Sequence, residues 1–359
     1  MSEMFNPQRL VLARKRRKMT ARALASAVGV SPITISRLEN GANEPEAETV
    51  KALSHALDFP EDFFFAEDVD ELPIEAASFR SLSSMTAKER DAALSAGVIA
   101  YLLHDWVAER FNLPEVDVPL LHGEASPAAA AQAVRAHWGL GQQPISNMVK
   151  LLESKGVRVF SLCEDTKNVD AFSCWRNDQP FVFLNTFKSA ERSRFDAAHE
   201  LGHLVMHKHG APQDSRQAES EADKFASNFL MPADDVLSRI RNVTDLDSLV
   251  RAKKRWGVSV AALTYRLHKL GILSDWQNRS FYVEMSSRGY RKQEPDGLAP
   301  ETSTLWPQVF SRLWQERVTR DHVAEQLNVP ISEIEGILFQ LAGRRTDIDS
   351  TKRKIYLIA

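Results

Sequence analysis

The string His199-Glu200-x-x-His203 is where this chain is best equipped for chemistry. On a helix, residues i and i+4 lie about 40° apart and one turn up, so both imidazoles can reach one ion. Neutral imidazole suits zinc, and Glu200 beside it is a base able to take a proton from a water acidified by the ion. Leu201, Leu204 and Val205 form an apolar stripe on the same helix. His199 and His203 lie on the opposite side, facing a cleft or solvent.

Two imidazoles do not complete a site. The next predicted helix, 215–230, offers Glu219, Glu221 and Asp223. Glu219 and Glu221 point about 200° apart, so only one can face the ion. Glu219 shares a side with Asp223, bordered by Ala222 and Ala226, whose small side chains let two helices approach. Glu219 is therefore expected as the third ligand and Asp223 as hydrogen-bond partner of a ligating imidazole. Glu221 stays open as an alternative. So does His209, at the spacing of a third ligating histidine, although that pattern needs a turning glycine where Met206 stands. His207 lies about 12 Å along the helix from His199. It is expected to be solvated, or else to line the cleft.

Several elements must position these groups. Val157–Leu162, Val169–Arg176 and Phe181–Asn185 are rich in β-branched and aromatic residues and bounded by Asn, Asp and Pro. They are expected to form one small antiparallel sheet, with Cys163 and Cys174 packed nearby as small hydrophobes. Helices are predicted over 88–111, 127–138 and 145–155. The fold class is mainly α with that sheet (α+β).

The N-terminus has a separate pattern. A first helix spans 9–18. Thr20 caps a second over 21–28, Gly29 makes the turn, and Ser31 caps a third that opens with Pro32. Gly41 closes it, and a fourth spans 46–57. Two short helices around a glycine turn make a helix-turn-helix unit, with Leu24, Ala25, Val30, Ile35 and Leu38 as its core. Residues 1–37 carry eight Lys/Arg and one Glu, whereas residues 38–75 carry one Lys and twelve Asp/Glu. The basic run Arg14-Lys15-Arg16-Arg17-Lys18 suits an anionic partner such as DNA, with an acidic linker behind it.

The string Thr20-x3-Leu24-Ala25-x3-Gly29-Val30-Ser31-x3-Ile35-Ser36-Arg37-x-Glu39-Asn40-Gly41-x3-Pro45 resembles the XRE/Cro-type repressor family. The resemblance implies a recognition helix, 31–40, in the major groove. Pro32, Ile33 and Arg37 would face base edges, with Thr20, Ser31, Thr34 and Asn40 beside them or near phosphates. Arg37 alone suits bidentate reading of guanine, while Pro32 and Ile33 offer apolar contact to thymine methyls.

A second resemblance rests on Trp138-Gly139-Leu140, Leu152-Glu153-x-x-Gly156, Ala171-Phe172-Ser173-x-Trp175, Arg194-Phe195-x-x-Ala198-His199-Glu200-Leu201-Gly202-His203 and Glu219-x-x-x-Asp223-x-Phe225-Ala226-x4-Met231-Pro232. These are similar to the ImmA/IrrE family of metallo-endopeptidases. The resemblance implies zinc (Zn2+) held by His199, His203 and Glu219, with Glu200 as general base. Family members often act beside XRE-type repressors or in toxin–antitoxin and phage-defence loci.

The expected organisation is a helix-turn-helix domain over 1–66, an acidic linker and helical lead-in over 67–126, a zincin-like peptidase domain over 127–240, and a helical extension over 241–359. The extension has helix-turn-helix-like segments and no catalytic candidate, and is expected to pack or dimerise. Two cysteines in 359 residues exclude a disulfide framework and a four-thiolate zinc site. The N-terminus lacks the apolar region of a secretory signal. No apolar run approaches the roughly 20 residues of a membrane span, so a cytoplasmic protein is expected.

Three functional readings follow. One is a regulator of a double-stranded operator, a likewise expected homodimer, whose peptidase cuts a repressor or antitoxin. The second is a repressor whose peptidase-like domain only senses a ligand or partner. The third is a protease whose helix-turn-helix recognises a protein substrate.

Overall fold

The computed structural model describes residues 4–72, 85–122, 126–162, 171–207 and 215–342. Cys163, His209, the Ser78-Phe79-Arg80-Ser81 stretch and the start of the second expected strand lie outside them.

Four helices build the N-terminal unit: α1 (Pro7–Arg16), α2 (Ala21–Val28), α3 (Pro32–Glu39) and α4 (Ala47–Leu57). Asn6, Thr20 and Ser31 cap the first three, each side chain accepting from a backbone N–H of the first turn. Gly29 takes φ 78° between α2 and α3, a conformation that a Cβ would strain. Leu24, Ala25, Ile35 and Leu38 are buried, and Val30 packs half-buried beside them. A 3-10 turn, Glu61–Phe65, adds Phe63 and Phe64 to the same core.

The basic run is largely committed within the chain. Arg14 donates to both oxygens of Glu39, its NH2 at 2.9 Å from Oε2. Arg16 and Arg17 both donate to Glu333, far along the chain, with Arg16 Nε 2.6 Å from Oε2. Arg17 also donates to the backbone oxygen of Leu57 at 2.7 Å. The charge excess seen in sequence is thus not an open basic face. At least three of its five cations close tertiary contacts.

Helix α5 (Ala87–Ala108), opened by a Thr86–Glu89 capping box, is buried along most of its length. It contacts α1, and at Gly97 an added Cβ would lie 2.7 Å from Leu72 and 3.5 Å from Phe183. It therefore runs tightly between the linker and the sheet. Next come α6 (Pro127–His137) and α7 (Met148–Ser154).

The sheet has strands β1 (Arg158–Ser161), β2 (Ala171–Arg176) and β3 (Gln179–Leu184) in the order β1-β3-β2. β2 and β3 form an antiparallel hairpin across Asn177 and Asp178, whose φ values of 48° and 63° suit a two-residue turn. β1, however, pairs parallel with β3. The sheet is mixed and not wholly antiparallel, because β3 inserts between β1 and β2 and so runs alongside β1. Cys174 is fully buried in β2, 3.0 Å from the Tyr101 hydroxyl, and burial pushes its thiol up to about 12.

Helices α8 (Ala190–Met206) and α9 (Ser215–Leu230) pack side by side, and α8 also lies on β2 and β3. Then follow α10 (Ala233–Arg239), α11 (Leu246–Lys253), α12 (Val260–Lys269), α13 (Asp275–Ser287), α14 (Leu305–Gln315), α15 (Arg320–Gln326) and α16 (Ile331–Ile337). Helix α16 contacts both α5 and β1, so the C-terminal segment closes back on the centre of the molecule. No described helix is long and apolar enough to cross a membrane.

Candidate metal centre

Helix α8 lies on β2 and β3, and its Ala197, Ala198, Leu201, Leu204 and Val205 are fully buried. Its other side is roofed by α9. The crossing is close at Gly202, where an added Cβ would meet Phe225 at 3.1 Å. Ala222 and Ala226 are also buried on α9. The approach brings His203 to only 4 % exposure, so it faces neither an open cleft nor solvent. Arg194 fixes the upstream part of α8 by donating to Glu301 and to the backbone oxygens of Ile145 and Trp256.

His199, His203 and Glu219 come together at this crossing. The two Nε2 atoms lie 3.1 Å apart. Glu219 places Oε2 3.3 Å from His199 Nε2 and Oε1 3.5 Å from His203 Nε2. A tetrahedral ion with bonds of about 2.0–2.1 Å separates its ligand atoms by about 3.3–3.4 Å, so this triangle has the size of one tetrahedral face. Two imidazoles and one carboxylate also match zinc in donor chemistry.

The surrounding groups orient the donors. Asp223 Oδ1 lies 2.9 Å from His199 Nδ1, which leaves Nε2 turned toward Glu219. Burial opposes a charge on His199, but hydrogen bonds to Asp223 and Glu219 win and raise its pKa to about 10. Burial dominates at His203 and lowers it to about 4. Burial also works against ionised Glu219, yet the two imidazoles hold it well below the usual carboxylate range. Glu200 is 3 % exposed, and Ser173 of β2 donates to its Oε2 at 2.7 Å.

Ser173 and the contact between His207 and Glu221 are not apparent from the sequence, and His207 is buried where solvation was the first expectation. Ser173 stood in a resembling string without a role. His207 is buried against His203, with Nδ1 2.9 Å from His203 Nδ1, and its Nε2 lies 3.1 Å from Glu221 Oε2. Glu221 does not join the donor triangle. His209 lies outside the described residues.

The helix-turn-helix residues lie elsewhere. Ser31, Pro32, Ile33, Arg37 and Asn40 are exposed along α3 and its ends, Ile33 to 65 %. Thr34 is half-buried and shares a 2.9 Å hydroxyl contact with Ser31. Thr20 is exposed and caps Ala23 at 3.1 Å.

Residues 10–64 match the helix-turn-helix family model, which takes in α2 and α3. Residues 152–268 match the model of the IrrE N-terminal-like domain, a peptidase family, from the end of α7 through α12. No curated protein matches the chain. With the turn geometry of one segment and the crossed α8 and α9 helices of the other, the chain is a fusion of a helix-turn-helix domain with an IrrE N-terminal-like domain.

Proposed function

We propose that this protein is a DNA-binding regulator whose peptidase-family domain is a zinc-dependent endopeptidase. Its substrate is a regulatory protein, a repressor or antitoxin, cut in trans or in its own chain. The observation that carries this reading is the donor triangle of His199, His203 and Glu219, on a helix whose intervening residue is the buried Glu200.

Zinc bound there supplies a Lewis acid for the scissile carbonyl and lowers the pKa of the attacking water. His199 and His203 would hold the ion through Nε2, and Glu219 would neutralise part of its charge. Asp223 accepts the Nδ1 hydrogen of His199 and keeps that ring turned inward. Glu200 takes the proton of the attacking water and returns it to the departing amine. Ser173 holds one oxygen of Glu200, so the carboxylate is oriented before the proton moves.

The DNA side of the proposal rests on α3. Arg37 reads guanine, Pro32 and Ile33 touch thymine methyls, and Thr20, Ser31, Thr34 and Asn40 lie near the backbone of an operator. A homodimer on a two-fold site is the arrangement such modules use.

Glu200→Gln tests the catalytic half. Cells making the wild-type chain should show new protein N-termini by terminal labelling. The variant should keep its zinc and lose them, a fall of about 10²–10⁴-fold for a removed general base. Identical termini from both would contradict proteolysis and leave a sensor that cuts nothing.

A further inference from the structure

Each imidazole in the donor triangle turns Nε2 inward, which leaves Nδ1 for an outer partner. For His199 that partner is a carboxylate, Asp223, at 2.9 Å. For His203 it is another imidazole: His207 Nδ1 lies 2.9 Å from His203 Nδ1. Two neutral rings in such contact can share only one hydrogen. With an ion in the triangle the His203 Nε2 lone pair is taken up by it, so His203 must carry the hydrogen on Nδ1. His207 Nδ1 therefore accepts, and the His207 hydrogen sits on Nε2. That atom in turn faces Glu221 Oε2 at 3.1 Å, and the other Glu221 oxygen accepts from Gln217 at 2.8 Å. Every hydrogen in this chain points outward, from the inner imidazole to a terminal carboxylate.

The backbone explains how His207 reaches this place. Helix α8 ends at Met206, and His207 adopts φ −114° and ψ 133°, leaving the helix while its N–H still bonds the His203 oxygen at 3.0 Å. The α9 spacing supplies the other end. Glu219 and Glu221 project to different sides of that helix, so one enters the triangle and the other meets His207 outside it.

We propose that His207 and Glu221 are positioning residues for the metal: a His203–His207–Glu221 relay that fixes the tautomer and direction of His203, as Asp223 does for His199. Through His207, the Glu221 charge makes His203 a better donor. The inference rests on the reading of His199, His203 and Glu219 as zinc ligands.

The test is competitive titration of zinc into the full metal-free chain against a chromophoric chelator, with the melting temperature of each metal-free variant measured in parallel. The wild type should bind one equivalent. His207→Ala should weaken binding by about 10–100-fold and Glu221→Gln by about 10-fold, the range for lost outer partners of a ligand. The metal-free melting temperatures should stay near wild type. Wild-type affinity in both variants would overturn the relay. A lowered melting temperature with unchanged affinity would do the same, by showing a purely structural role. Should His207→Ala not fold, Glu221→Gln decides alone, since that side chain is partly exposed. A wild-type chain that takes up no zinc would instead overturn the ligand reading beneath the proposal.

Discussion

Residues 20–38 and 319–337 follow one pattern in one register and differ in what their third helices leave exposed. Thr20 and Thr319 each cap a helix, accepting at 3.1 Å and 3.2 Å from the N–H three residues on. Leu24-Ala25 corresponds to Val323-Ala324, all buried. Gly29 and Asn328 both take positive φ, 78° and 53°. Val30, Ile35 and Leu38 correspond to Val329, Ile334 and Ile337. The third helices then diverge. Arg37 is exposed on α3, whereas Gly336 at the same step of α16 is buried. Half-buried Thr34 corresponds to Glu333, which is 2 % exposed and receives both Arg16 and Arg17. Caps, turn and apolar positions thus determine the frame alone. The other residues of the third helix determine whether it stays exposed, as α3 does at Arg37, or braces the molecule, as α16 does at Glu333.

The contrast is most easily broken at Glu333. Glu333→Ala leaves two guanidinia without their shared acceptor, one of them only 10 % exposed. Removing one partner of a buried ion pair destabilises by about 3–5 kcal/mol, read as a lower midpoint in urea unfolding. Exposed Glu335→Ala on the same helix should stay within about 0.5 kcal/mol. Equal effects from the two would remove the distinction between the inward and outward sides of α16.

Arg37→Ala sharpens the other side of the comparison. It should leave stability unchanged while weakening binding to the cognate operator by about 10–100-fold, the worth of one bidentate base contact. Uniform weakening on all sequences would assign Arg37 to phosphates instead. Least affected should be the shared frame. Thr20→Ala and Thr319→Ala should each lower stability by about 1 kcal/mol. A large asymmetry between them would show that the two units are not built alike.

These cases also show what could be read from the chain. The i,i+4 spacing of His199 and His203 is local, and so is the Ala222 and Ala226 face that lets α9 approach. The structure does bring His199, His203 and Glu219 together. The place of His207 was not legible, since a straight-helix projection carries it away from the ion and its extended backbone is a tertiary result. The parallel pairing of β1 with β3 depends on strand order, which no single strand encodes. The basic run looked available because its acceptor, Glu333, lies more than 300 residues further on.

A bound metal is the most direct signature of this centre. Elemental analysis of the purified full chain should find one zinc per chain, and His199→Ala/His203→Ala should find none while remaining folded. A wild-type chain without stoichiometric metal, or a double variant that keeps it, would contradict the reading of this centre.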